Sequence, residues 1–435
     1  MRKLTLGVGL VVLLCCGGRA SAAIDAISVS PAATVLLPYF EVDPNGTAAS
    51  GLDTLIALNN ASATAMLAHV SVWTDLAVPV MSFQVYLTGY DVETIDLGEV
   101  LAGRLPRTAS AGQDQQPSDA ISPHGDFSQD INFASCTGIL PPPAQLSTEF
   151  VTHVRNALTG KNSDVLGGCS GRDLGDGIMR GYVTVDGVNS CSLLLPDSPN
   201  FYDFYSTQQN TLWGSYQTID RGTKRVRAGS LVHIQASFND PEVTVAGQYT
   251  FYGRLHGFNA TDKRQPLATT FGLRYVNTPG AGFPTATYAI VWRDPKVPQA
   301  AFACGTNPSW YPLGQESLVV FDQGEEPEVQ MVDPVAPVTP GAVLTPFPAA
   351  TQKVLLGGAD FPLGFERGWI YMNLNTSVAG VMKPDEDPTA AQAWVEVIYE
   401  DRDPGAYGVR GRTAVAHPAV QLDSATESLH TIIGN

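Results

Sequence analysis

The chain lacks the local signatures of the common catalytic sites. It has no G-x-S-x-G elbow ("GGCSGRD" does not match), no H-E-x-x-H pair and no P-loop. Its seven histidines are scattered without partners at ligand spacing. This argues against a motif-borne hydrolase or nucleotide enzyme and leaves only a site assembled from distant loops. His233 in "LVHIQAS" and His256 in "GRLHGF" read as ordinary strand residues. Basic charge is also scarce: 25 Lys and Arg face 42 Asp and Glu, for a formal net charge of −17. Phosphate backbones and anionic membranes require a basic footprint, so nucleic acid is not an expected partner. The one basic cluster, "RGTKRVR" (Arg221–Arg227), reads as a solvated turn between strands. After the first residues no apolar run is long enough to cross a bilayer, so no membrane span is expected.

The first residues themselves read as a secretory leader. Arg2 and Lys3 precede the apolar run Leu4–Leu14, and Ala20-Ser21-Ala22 is a small-x-small cleavage site, which places the signal peptide at 1–22. Cys15 and Cys16 raise the option of lipidation, but Leu14 stands where a lipoprotein signal needs a small residue. The expected location is therefore secreted, periplasmic or at the cell exterior. Four cysteines lie beyond the leader: Cys136, Cys169, Cys191 and Cys304. An even number in an exported chain predicts two disulfides. Three pairings are possible. Cys136–Cys169 is favoured because these two flank one local excursion of the chain, which leaves Cys191–Cys304.

Period-two alternation dominates the chain beyond the leader, as expected for antiparallel strands with one buried face. Strand-like runs include "TVLLPYFEV" (Thr34–Val42), "RGYVTVDG", "NTLWGSYQTID", "GSLVHIQASF", "GQYTFYGRLHG", "TTFGLRYVN", "TYAIVWRD", "ESLVVFDQ", "RGWIYMNLN" and "AWVEVIYED". Residues 104–130 carry almost no large apolar side chain and read as a long exposed loop. One helix is expected over 147–159. Ser147 or Thr148 caps it, Leu146, Phe150, Val154 and Leu158 recur at one-turn spacing, and Gly160 sits where a C-terminal cap belongs. His153 and Arg155 are placed on its polar side. A loose unit recurs at "TLIALNN…HVSVWTD", "FGLRYVN…YAIVWRD" and "WIYMNLN…VEVIYED", read as similar hairpins. Similar hairpins on both sides favour two antiparallel, Ig-like β-sandwich units, 23–240 and 241–435, with one short helix inserted.

Six segments, "LPYFEVD" (Leu37–Asp43), "RGYVTVD" (Arg180–Asp186), "TLWGSY", "LVHIQA", "PLATTF" and "WYPLGQE" (Trp310–Glu316), lie in one order along the chain. Together they resemble a group of secreted bacterial proteins without an assigned activity. The resemblance covers most of the chain and implies export and a bacterial source.

For a binding site, the hairpin "MLAHVSVWTDLAVPVMSFQVYLTGYD" offers His69, Trp73 and Tyr86 on the face opposite Val70, Val72, Phe83 and Val85. A turn near Ala77 would set His69 against Tyr86 and Trp73 against Ser82. An open strip of this kind stacks against sugar rings. A covered one packs beneath the long loop or the other unit, the preferred reading in a chain this large. No cofactor is called for. Calcium is the ion best suited to the acidic turns at Asp43–Asp53, Asp173–Gly177 and Glu400–Gly405, although none matches an EF-hand loop and ordinary turns use the same residues. The resulting expectation is a non-catalytic binding or scaffold protein whose partner is a polysaccharide or another surface protein. The alternatives are a structural subunit pairing through strand edges and a hydrolase with a loop-built site.

Overall fold

Alternation decides which faces are buried, and it does so twice over. In Met66–Thr74 (β3) and Pro79–Leu87 (β4), the pairs Ala68↔Val85, Val70↔Phe83 and Val72↔Met81 put one apolar face into the main core. The opposite face is buried as well. The computed structural model describes residues 30–421 except 48, 109–133, 141, 199–200, 237–249, 257–261, 278–284, 296–298, 309–312, 315–316, 330–342, 345, 375–391 and 402–411. The leader and most of the loop expected at 104–130 lie outside the described residues.

Three larger sheets and one two-stranded ribbon carry the fold. The first sheet is antiparallel, in the order β4, β3, Met179–Val188 (β6), Thr34–Val42 (β1) and Val232–Ile234 (β9). The second runs Pro327–Val329 (β14), Leu318–Asp322 (β13), Arg367–Asn373 (β17), Thr270–Val276 (β10) and Val420–Gln421 (β20). The third has eight strands: Thr351–Leu355 (β16), Thr285–Arg293 (β11), Ala393–Asp401 (β18), Arg412–Pro418 (β19), Arg225–Ser230 (β8), Leu212–Asp220 (β7), Leu52–Asn60 (β2) and Val92–Asp96 (β5). Leu313–Gly314 (β12) and Val343–Leu344 (β15) form the ribbon. Helices are short: Leu97–Leu101 (α1), Thr148–Leu158 (α2), Phe201–Phe204 (α3) and Gly253–His256 (α4).

The fold is therefore mostly β, with antiparallel sheets packed in layers. The eight-stranded sheet takes four strands from each side of residue 240, joined by the one parallel pairing in it, β8 with β19. Residues paired across a ladder share a face. The face bearing Ile56, Leu58 and Tyr216 packs on Val35, Leu37 and Phe40 of β1. The same face continues through Ile290, Trp292 and Ile398 and meets the other side of β1 at Leu36 and Tyr39. The sheet thus wraps β1 from both sides. Its reverse face, through Ala289, Val291, Val395 and Val397, packs on Phe271, Leu273 and Ile370 of the second sheet.

Several expectations are corrected. The recurring units are not hairpins: β2 and β3, β10 and β11, and β17 and β18 each place their two strands in different sheets, so each unit is a crossing between layers. The run "GQYTFYGRLHG" forms no strand among its described residues; Phe251 and Tyr252 lie fully buried in a turn that leads into α4. The disulfides are Cys136–Cys191 and Cys169–Cys304, with Cα separations of 4.9 and 5.0 Å. The favoured pairing fails because Cys191 follows β6, the neighbour of β3 in the sheet, and so returns to the segment holding Cys136. The basic stretch is the turn between β7 and β8, as expected, but Arg225 pairs with Glu400 at 2.7 Å and Arg227 is buried against Thr218 and the Tyr216 ring.

Candidate functional site

The helix and the edge of the first sheet together build an apolar cavity. Ser147 caps α2 by accepting from the Phe150 N–H, and Gly160 follows its end at φ 71°. Val154, Ala157 and Leu158 bury into the main core, which leaves Leu146 and Phe150 to project beside β4. His153 is not on the polar side. It is buried, donates from Nε2 to the Val80 carbonyl at 3.1 Å and accepts at Nδ1 from Ser163 at 2.6 Å. Burial lowers its pKa and favours the neutral ring that this pair of bonds needs.

β4 pairs only with β3, so its other edge faces outward. Val80, Ser82, Gln84 and Tyr86 direct their backbone groups that way. The two ends of this edge are occupied: Val80 by His153, and Tyr86 by Thr108, whose hydroxyl bonds both its N–H (2.6 Å) and its carbonyl (2.8 Å). Between them the backbone groups of Ser82 and Gln84 meet no partner among the described residues. They open into a slot of about 410 Å³. One wall is Leu105, Leu146 and Phe150. The other is Ile139 and Leu140 with Leu193 and Leu195, two segments held together by Cys136–Cys191. No lining side chain carries a charge.

His69, Trp73 and Tyr86 are 0–2% exposed, so the strip proposed for sugar stacking does not meet solvent. The register differs from that expected. A bulge after Val72 sets Trp73 against Pro79, His69 against Gln84 and Tyr86 against Leu67. Trp73 stacks on Tyr182 at 5.6 Å and donates to Thr184, His69 lies against Phe201 of α3, and Tyr86 packs with Cys136 and Leu140. Sequence reasoning missed Phe150, Leu193 and Leu195. The signal was "SLLLPD", an apolar triplet in a segment with too many turn residues to be a strand.

A second, polar cleft of about 520 Å³ lies between the Asp43–Asp53 turn, α1 and α2. Asp53 accepts from Thr54 N (2.7 Å) and Gly98 N (3.0 Å), and Asp96 caps α1 through the Glu99 N–H. Burial, then the neighbouring Asp96, push the Asp53 carboxyl up to about 6; burial, then Asp91, push Glu93 up to about 7. Among the described residues no group of three or more His, Cys, Asp or Glu is placed to hold a metal. Asp173 and Asp176 accept from Gly175 and Ile178 N–H groups within their own turn, Asp176 also pairs with Arg180, and residues 402–405 lie outside the described residues.

The raised carboxyls have a measurable consequence. Their folded-state pKa values exceed the unfolded ones, so their contribution is full below about pH 4 and is lost as pH rises through about 6 and 7. His69 and His233, held by burial at about 3 and about 4, act in the opposite sense as pH falls through the ordinary histidine pKa, and burial lowers His153 as well. Between pH 8 and 6.5 the two sets largely offset each other, so the acids are read by difference from Asp53→Asn with Glu93→Gln. Acidification over that window should raise the stability of the unmodified protein relative to this variant by about 0.5 kcal/mol after allowing for partial solvent screening. Urea midpoints of both proteins across the window test this.

No helix among the described residues is long and apolar enough to cross a membrane. No protein-family model matches the chain, and no curated protein is significantly similar to it.

Proposed function

We propose that this is an exported, non-catalytic binding or scaffold protein of the bacterial exterior and that the slot along β4 is its binding surface. The observation that carries this reading is an uncharged apolar cavity bounded by an open strand edge. Its wall is braced by a disulfide, which suits an oxidising compartment. A protein segment fits this surface better than a polysaccharide, because the slot offers aliphatic walls and the rings considered for sugar stacking are covered. Nile red, a neutral apolar dye, should bind the full chain saturably at one site. Leu193→Glu, at a side chain 67% exposed and therefore tolerant of change, should abolish that binding with the fold intact. Absence of saturable dye binding would sink the reading.

The polar cleft favours one second reading, a loop-built hydrolase. Asp53 lies beside Asp96, and burial and this neighbour hold its proton to about pH 6, as in acid–base pairs. Turnover of an ester, glycoside or peptide panel that disappears in Asp53→Asn would establish it.

A further inference from the structure

The slot supports a narrower statement, which rests on the proposed binding role: we infer that it captures an extended, uncharged aliphatic segment of a partner polypeptide, which adds as a strand to β4. The chemistry of the occupant comes from what the edge leaves unfilled. Ser82 and Gln84 present outward N–H and C=O groups at strand spacing, which only another extended backbone matches in register. Gln84, itself 2% exposed and part of the lining, also keeps a buried Oε1 without a hydrogen-bond partner among the described residues.

The length of the occupant is set by the occupied ends. His153 on Val80 and Thr108 on Tyr86 leave a window of Met81 to Val85, roughly 13 Å of strand, or about four guest residues. Its side chains are set by the walls. Successive residues of an added strand point to opposite faces. One face meets Leu146 and Phe150, the other Ile139 and Leu193, so neighbouring guest positions are both aliphatic. The uncharged lining selects against charge at either position, because an ion buried there would go unpaired. The walls rise on both faces of the edge, so the slot admits one strand and not the sheet edge of a second folded copy. A loose tail or unfolded stretch of another protein is the partner that fits.

The test uses the full chain and a fluorescein-labelled, amidated Thr-Val-Ile-Val-Ile-Thr peptide, with Thr-Lys-Ile-Glu-Ile-Thr as control. Anisotropy should show saturable binding of the first peptide and at least tenfold weaker binding of the second. Amide exchange at Ser82 and Gln84 should slow when the first peptide is bound. Ser82→Pro removes an outward donor at an edge position that tolerates proline. It should weaken peptide binding at least tenfold with native circular dichroism unchanged, and Leu193→Glu should lose both peptide and dye. Dye binding without peptide binding would overturn this inference and spare the slot as an apolar site. Equal binding of the charged peptide, or unchanged exchange at Ser82 and Gln84 on saturation, would overturn it too. Loss of both dye and peptide would remove both readings.

Discussion

Replacing Arg264 by methionine should destabilise this protein by about 3–5 kcal/mol, the usual result of removing one partner from a buried ionic group. Arg264 is 1% exposed and stands between Asp262 and Asp186, which are 3% and 0% exposed. Its Nη1 donates to Asp262 at 3.0 Å, its Nε to Thr34 at 2.6 Å and its Nη2 to the Thr207 carbonyl at 2.7 Å, while its guanidinium lies over the Tyr252 ring. Asp186 accepts from Thr34 (2.6 Å) and Tyr252 (2.9 Å). Without the cation two carboxylates remain buried among dipoles alone. Burial already pushes the Asp186 carboxyl above its ordinary range, so the loss should shrink in acid, where a neutral carboxyl needs no counter-ion. Urea denaturation at pH 7.5 and pH 5 measures both effects. An unchanged midpoint at pH 7.5 would mean that the carboxyls are neutral in the native state.

Removing the Cys169–Cys304 bond, by serine at both positions, should cost about 2–5 kcal/mol. The bond spans 135 residues, so the unfolded chain gains a large loop's freedom when it is lost. The backbone brace beside it, Cys169 N to Phe302 O at 2.9 Å and Phe302 N to Cys169 O at 2.8 Å, would remain and hold the native contact. The expected signature is therefore a lower denaturation midpoint with unchanged native circular dichroism. A non-reducing digest should yield Cys169 linked to Cys304 and Cys136 linked to Cys191; a Cys136–Cys169 peptide would contradict the structure.

These two features mark where reading from sequence stops. Thr34–Val42 and Ala393–Asp401 are strands with the limits expected from sequence, and α2 keeps the cap and the stripe expected of it, because alternation and capping are local properties. Arg264 sits in "TDKRQPL", outside the strand-like runs, where no local pattern marks an arginine as buried. Its partner Thr34 is 230 positions away. The burial of Trp73 and Tyr86 was legible only as a preference, since period two shows that a strand has two faces and not what lies on each. The slot was invisible for the same reason: "SLLLP" lies more than thirty positions beyond α2 and fifty beyond "GIL", and the three meet only through β4 and a disulfide whose pairing needed the sheet order.

β19 carries a consequence for how the chain is made. Among the described residues, 412–418 are the strand that joins β18 to β8 in the eight-stranded sheet, and β8 was synthesised nearly two hundred positions earlier. Vectorial emergence, from a ribosome or through a translocation pore, therefore leaves the sheet divided until almost the whole polypeptide has appeared. Contacts of such high order close slowly. A nascent chain stalled short of Arg412 would expose the parallel edge of β8 and invite foreign strands, so truncation near the carboxyl end should produce aggregates rather than a stable half-molecule.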